Sequence, residues 1–120
     1  MTEKFTTEEL IKKIVKVLND KKGIDIVLID IRGLSSFADY FINVTAGNTR
    51  QLETIVDEIH KQLVKIGISP SNVEGKSNSG WILVDLGDII VNVFGNEERE
   101  KYQIEKIWND GLITEYNREA

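Results

Sequence analysis

Apolar residues recur at helical spacing in two segments of the first half of the chain. Residues 10–18 place isoleucine, valine and leucine on one side and lysines on the other, directly after the Thr-x-x-Glu capping box of Thr6 and Glu9. Residues 52–66 repeat the pattern after Asn48-Thr-Arg-Gln51, a variant of the same box. The spacing therefore predicts two amphipathic helices with defined starts.

Shorter apolar runs predict strands. Residues 24–31 are almost continuously β-branched, as in a strand that is covered on both faces. The connection to residues 40–46 is too short for a parallel crossover, so these two strands are either antiparallel neighbours or separated in the sheet. Gly87 and Asp88 predict a two-residue hairpin with glycine at a positive φ. The remaining predicted strands are residues 81–86, 89–94 and a short one at 72–74.

The end of the chain adds a third helix. Asn96 is predicted to cap it, and Glu97 and Glu98 suit the positive end of its dipole. The order α-β-β-α-(β)-β-β-α predicts an α/β (α+β) fold in which three helices pack against a mixed sheet of four or five strands. We expect a single domain over residues 1–112, followed by a polar C-terminal tail over residues 113–120.

Composition narrows the classes of function. The 120 residues include no cysteine and one histidine, which argues against disulfide frameworks, zinc sites and thiol nucleophiles. The sequence shows no membrane span and no signal peptide, so a cytoplasmic location is expected. A net charge of −5 argues against broad binding to a nucleic-acid backbone and favours a basic or mixed-charge protein partner.

No convincing catalytic constellation emerges from the residues. Asp85 and Asp88 beside the predicted hairpin could bind a cation. A turn role for Asp88, and for Asp85 the role of an edge polar residue or of a salt-bridge acceptor for a partner, explain them better. Residues 33–36 contain glycine and serines without the lysine of a phosphate loop. His60 has no serine or cysteine at a suggestive spacing. We therefore predict no catalytic residue, no metal and no cofactor.

Three other residues are ambiguous from pattern alone. Trp81 follows a polar loop at the start of a strand, so it is either a boundary core residue or an exposed recognition anchor. Arg99 and Tyr102 share a helix face, where they either pack locally or belong to a contact surface.

Two motifs carry a resemblance to a known family. They are Asp30-Ile-Arg-Gly-Leu-Ser-Ser-Phe-Ala-Asp-Tyr-Phe41 and Gly80-Trp-Ile-Leu-Val-Asp-Leu-Gly-Asp-Ile-Ile-Val-Asn-Val-Phe94. Together they resemble the ribosomal silencing factors, also called Iojap-like proteins. The chain departs from the family pattern at Asn92, where histidine is usual, and at Lys101, where an aromatic residue is usual. No role of that histidine can be carried over.

The resemblance implies a translational repressor, not an enzyme. Such proteins bind the large ribosomal subunit through its fourteenth ribosomal protein and sterically block joining of the small subunit when nutrients are short. The implied fold is similar to that of nucleotidyltransferases, so a nucleotidyltransferase-like enzyme is one alternative. That chemistry needs an Asp-x-Asp metal pair and a Gly-Ser phosphate contact; the chain has no Asp-x-Asp, and Gly33 precedes Leu34. The other alternative is a large-subunit assembly chaperone.

The partner-binding residues follow from this interpretation. Trp81, flanked by Asp85 and Leu86 on the predicted hairpin, is the first candidate contact centre. If Trp81 belongs to the core instead, the contact is expected around Tyr40, Arg99 and Tyr102. The sequence leaves a homodimer open.

Overall fold

The computed structural model describes residues 6–36, 38–102 and 112–117 of the chain. Its helices are α1 (Thr7–Asp20), α2 (Thr49–Lys65) and α3 (Asn96–Tyr102). Its strands are β1 (Ile24–Asp30), β2 (Tyr40–Thr45), β3 (Asn72–Lys76), β4 (Trp81–Asp85), β5 (Ile89–Phe94) and β6 (Leu112–Asn117), with a short 3₁₀ turn at Ser77–Ser79. The predicted order of elements is confirmed as far as α3.

All six strands form one mixed sheet in the order β3-β4-β5-β2-β1-β6. The β2–β5 pair is parallel and the other pairs are antiparallel. Strands β1 and β2 are antiparallel neighbours, which decides between the two arrangements that the sequence left open. The predicted hairpin is present, with Gly87 at φ +94° and the Leu86 N–H donating to the Ile89 carbonyl over 2.8 Å.

The sheet has one strand more than the four or five predicted. The prediction of a polar tail over residues 113–120 is wrong for residues 113–117, because Leu112–Asn117 pairs along β1 as β6. Backbone hydrogen bonds to a strand distant in sequence stabilise this segment, and a short polar edge strand carries little apolar signal of its own.

Helices α1 and α2 cover one face of the sheet. The larger hydrophobic core lies there, where Leu18, Ile55 and Ile59 meet Ile42 and Val91 from the central strands. Local hydrogen bonds fix both helix starts, as predicted: the Thr6 side chain caps α1 and the Asn48 side chain caps α2.

A smaller core lies on the opposite face. It contains Val27, Ile29, Phe41 and Ile90, with Leu83 packed against it. Strands β1, β2 and β5 are therefore buried on both sides, as the continuous apolar run of β1 predicted. One residue, Gly95, separates β5 from α3. The sequence predicted Asn96 as the cap of this helix, but Asn96 is its first residue. The sequence predicts that this helix continues through the apolar residues Ile104, Ile107 and Trp108, which lie outside the described residues.

Candidate protein-contact surface

Strand β4 separates the residues predicted to form one contact centre. Ile82 and Val84 enter the larger core, and Leu86 packs against the same core. Because side chains alternate along a strand, Trp81 lies on the opposite face together with Leu83. The structure therefore does not bring Trp81 and Leu86 together: they lie at opposite ends of β4 and on opposite faces.

Predicted contact residues lie at two opposite ends of the sheet. The tryptophan end is formed by Thr45, Phe94 and Trp81, which strand pairing brings side by side, and by Asp25, which lies near Thr45. The hairpin end is formed by Asp30, Tyr40 and Asp85 together with the turn at residues 86–88. Of the predicted contact residues, Trp81 and Arg99 lie at the tryptophan end, and Tyr40, Asp85 and Leu86 lie at the hairpin end.

Trp81 is half-buried and its ring is fixed. The indole Nε1–H donates to Asn92 Oδ1 over 3.0 Å. The ring also packs on Phe94, with 5.1 Å between the centroids and 35° between the planes. The residue is therefore held at the core boundary and keeps part of its surface accessible, while its role as a recognition anchor stays a prediction.

An open groove of about 280 Å³ runs beside Trp81 and is lined also by Glu74, Gly75, Ser79 and Leu83. Hydrogen bonds fix the loop that precedes Trp81. The Ser79 hydroxyl donates to the Lys76 carbonyl over 2.6 Å, and the Gly95 N–H donates to the Gly80 carbonyl over 2.8 Å. Trp81 is therefore held at both its backbone and its indole ring.

Arg99 ties α3 to the tryptophan end. Its Nη1 donates to Thr45 Oγ1 and its Nη2 donates to the Asp25 carbonyl, each over 2.8 Å. This arrangement is the local-packing alternative for Arg99, and it leaves a part in partner binding untested. Tyr102 is the last residue of α3, and its side chain lies outside the described part of the chain.

Arg99 lies beside a groove that is lined by several carboxylates. Asp25, Glu97 and Glu100 line this second open groove, of about 290 Å³, together with Thr45, Asn96 and Arg99. Asp25 and Glu97 are exposed. The tryptophan end therefore presents an aromatic ring next to an acidic groove, a combination that suits a basic protein surface.

At the hairpin end, the predicted contact residues make structural contacts. Tyr40 is only 8% exposed and belongs to the larger core. The Asp85 carboxylate accepts from the Gly87 N–H over 2.8 Å, so Asp85 has a role in the turn that the sequence had suggested for Asp88. The Asp88 carbonyl accepts from the N–H groups of Asp39 and Tyr40, so the hairpin turn is fixed to the start of β2.

Two further exposed residues at this end were not among the predicted contact residues. Arg32, 61% exposed, donates from Nε to Asp30 Oδ1 over 3.0 Å and from Nη2 to Oδ2 over 2.7 Å. These hydrogen bonds lower the pKa of Asp30. The Arg32 guanidinium also lies 5.2 Å from the centre of the Tyr40 ring, while burial raises the pKa of Tyr40. Leu34, on the same loop, is 47% exposed. The sequence signal that could have indicated them is an arginine and a leucine in the loop that follows a buried strand.

The part of the chain that the structure describes contains neither a cluster of metal-ligating side chains nor a helix that could span a membrane. No group of three or more histidine, aspartate or glutamate side chains converges within residues 6–36, 38–102 and 112–117. None of the helices in these ranges is both long enough and apolar enough to cross a membrane.

The fold and the surface define a small α/β protein with a half-buried tryptophan, a hydrogen-bonded arginine and an acidic groove at one end of a mixed sheet. The model of the family "Ribosomal silencing factor during starvation" matches residues 4–119. The chain belongs to this family of regulatory proteins, as its two motifs indicated.

Comparison with individual proteins supports the same family. The chain is 34% identical to a ribosomal silencing factor of Halalkalibacterium halodurans over 92% of this chain and 95% of the relative. A crystal structure of a Chromobacterium violaceum protein superimposes with a TM-score of 0.83 at 30% identity and covers 88% of each chain. A mouse protein named "Mitochondrial assembly of ribosomal large subunit protein 1" is 30% identical over 82% of this chain and 44% of its own length.

Proposed function

We propose that this protein binds the large ribosomal subunit through its fourteenth ribosomal protein and sterically blocks joining of the small subunit under nutrient limitation. The observation that carries the proposal is the family match over residues 4–119, whose description names both ribosome silencing and starvation. Exclusion of one subunit by a bound protein requires a contact surface and no chemical step. The protein would act on ribosomes in the cytoplasm.

The tryptophan end is the proposed centre of the contact. An aromatic ring whose orientation is already fixed loses little conformational freedom on binding, which is a property of interface residues that dominate affinity. The neighbouring carboxylates of Glu74, Asp25 and Glu97 complement a basic ribosomal protein. Arg99 and Tyr102 on α3 complete this part of the proposed surface.

The hairpin end supplies the second part of the proposed contact. Leu86 is partly exposed at the turn, and Asp85 stands beside it. Trp81 and Leu86 lie on opposite faces, so the two parts of the proposed surface would meet around β3, the edge strand that pairs with β4. Tyr40 contributes indirectly, since its buried ring supports Arg32.

Assembly of the large subunit is the second candidate function, and the name of the mouse relative favours it. It requires the same contact with the large subunit, but predicts an effect on maturation and none on joining. Nucleotidyl transfer is the least supported alternative, because the chain contains no Asp-x-Asp pair.

Sedimentation of purified subunits through sucrose gradients tests the proposal. We expect the protein to migrate with large subunits and to reduce the fraction of joined ribosomes as its concentration rises. Unchanged joining at saturating protein would contradict the silencing function. Binding without any effect on joining, combined with accumulation of immature large subunits in cells that lack the protein, would favour assembly. Magnesium-dependent consumption of a nucleoside triphosphate would favour the enzyme.

A further inference from the structure

Two asparagines lie side by side in the centre of the sheet. Asn43 on β2 is 0% exposed and Asn92 on β5 is 1% exposed. They are direct partners in the parallel β2–β5 register, so both side chains project from the same face. Trp81 lies on that face, on the neighbouring strand β4.

The three side chains form a directed chain of hydrogen bonds. Trp81 Nε1–H donates to Asn92 Oδ1 over 3.0 Å, and Asn92 Nδ2–H donates to Asn43 Oδ1 over 2.9 Å. An indole can only donate, so the oxygen of Asn92 must face Trp81. The amide nitrogen of Asn92 then faces Asn43, which must present its own oxygen. The orientation of the indole and of both amides is thereby specified together.

Stability alone does not account for this arrangement. Burying an amide costs free energy that a hydrogen bond only offsets, and replacing both partners by apolar groups of the same shape can be nearly neutral or even stabilising. The residues before and after Asn92 are Val91 and Val93, both fully buried and apolar. What the polar pair adds is a unique geometry, because each member satisfies its partner in one orientation only.

We propose that Asn92, supported by Asn43, is a positioning residue that fixes the Trp81 ring in the orientation that contacts the ribosomal partner. This inference rests on the proposed function. Phe94 supports the same ring through its aromatic contact. Since the indole N–H is used within the fold, Trp81 offers ring carbon surface to its partner. The partner group that fits the groove at Trp81 and Leu83 is an aliphatic side chain.

The first test removes the hydrogen bonds at similar volume. Asn92→Leu is expected to weaken binding to large subunits by about tenfold, because the ring must then be ordered on binding. Asn92→His, measured at pH 8, where the neutral imidazole has one acceptor and one donor, is expected to bind within about twofold of the parent. If both variants bind as the parent does, Asn92 does not position Trp81.

A double-mutant cycle separates positioning from general damage. Trp81→Phe keeps an aromatic ring and removes the N–H. If Asn92 acts through this N–H, then Asn92→Leu causes no further loss of affinity in the Trp81→Phe protein. Fully additive losses would overturn the proposal, even where both variants also lower the melting temperature.

A third measurement needs no partner. Nuclear magnetic resonance reports hydrogen exchange at the Trp81 indole N–H, which is assigned by its disappearance in Trp81→Phe. We expect slow exchange in the parent, slow exchange in Asn92→His and fast exchange in Asn92→Leu. Fast exchange in the parent would overturn the hydrogen-bond chain itself.

The outcomes distinguish this inference from the proposed function. If Trp81→Ala binds large subunits as well as the parent, the proposed contact centre is wrong, and the positioning role is wrong with it. If Trp81→Ala loses binding while Asn92→Leu keeps it, the contact centre stands and the positioning role is wrong. If the parent itself does not bind, the proposed function fails, while the exchange experiment still decides whether Asn92 fixes the ring.

Discussion

The backbone of Gly75 lies so close to the carbonyl oxygen of Trp81 that a β carbon at position 75 would overlap with this oxygen. Only glycine, which has no β carbon, allows this approach. Gly75 also has φ +97°, a conformation that favours glycine. The pairing of β3 with β4, and hence the groove beside Trp81, depends on this approach.

Gly75→Ala tests this relationship. We expect a loss of about 3 kcal/mol in the free energy of unfolding, measured with urea, since both the backbone conformation and the overlap oppose the new methyl group. Gly67→Ala is the matched control: Gly67 has φ +78° with open space around it, and about 1 kcal/mol is expected. Equal losses in the two variants would show that the close approach to Trp81 contributes nothing.

Trp81→Ala is expected to weaken binding to large subunits by about 30-fold to 800-fold, the range for loss of a central interface residue. Because Trp81 is half-buried, it should also lose some stability, though less than the roughly 3 to 5 kcal/mol of a fully buried aromatic residue. Binding by sedimentation and unfolding by heat are measured on the same preparation. Parent-like affinity, or a loss of stability at the top of that range, would refute the anchor role.

Arg99→Ala should detach α3 from the sheet and cost about 2 kcal/mol, because hydrogen bonds from a charged group are lost. Thr45→Val is the graded control, since it removes only the acceptor of Nη1 and should cost about 1 kcal/mol. A Thr45→Val loss as large as that of Arg99→Ala would mean that the bond to the Asp25 carbonyl is unimportant.

The ion pair of Asp30 and Arg32 should make stability depend on acid. The pKa of Asp30 is lower in the folded protein than in the unfolded chain, so the unfolded chain binds the proton first as the pH falls. The stabilisation is therefore complete above the ordinary aspartate pKa of about 4 and is lost as the pH falls through the lowered value. Unfolding curves between pH 2 and pH 7 measure this.

Asp30→Asn is the control for that experiment. It should lose little stability at neutral pH, since Arg32 is largely exposed and its charge is screened, and its stability should fall less steeply in acid. An identical acid profile in parent and variant would assign the acid sensitivity to other carboxylates.

Salt should weaken binding to the ribosomal partner moderately. Exposed carboxylates at the tryptophan end attract a basic protein, and screening reduces that attraction. The slope of affinity against salt should stay well below that of a protein that displaces many phosphate counterions. A steep slope would instead indicate direct contact with ribosomal RNA. Affinity measured at several potassium chloride concentrations decides between them.

Local signals predicted much of the architecture. The capping box at Thr6 and Glu9, the glycine of the hairpin at Gly87 and the apolar run of β1 all depend on neighbours in sequence, and each is confirmed. The separation of Trp81 from Leu86 was also available to local reasoning, since an odd spacing along a strand places two side chains on opposite faces. The prediction of one contact centre overlooked that alternation.

Contacts between distant segments were decided only by the tertiary structure. Three such contacts are the pairing of β6 with β1, the hydrogen bond between Asn43 and Asn92, and the hydrogen bond from Arg99 to Thr45. In each, the local sequence around one residue does not indicate which distant residue it contacts. The amino-acid sequence by itself determined where α1, α2 and the strands β1 to β5 begin, because capping, turn chemistry and hydrophobic periodicity act over a few residues. Which buried amide meets which ring depends on strand order and register, and those are set by packing the whole sheet between its two cores.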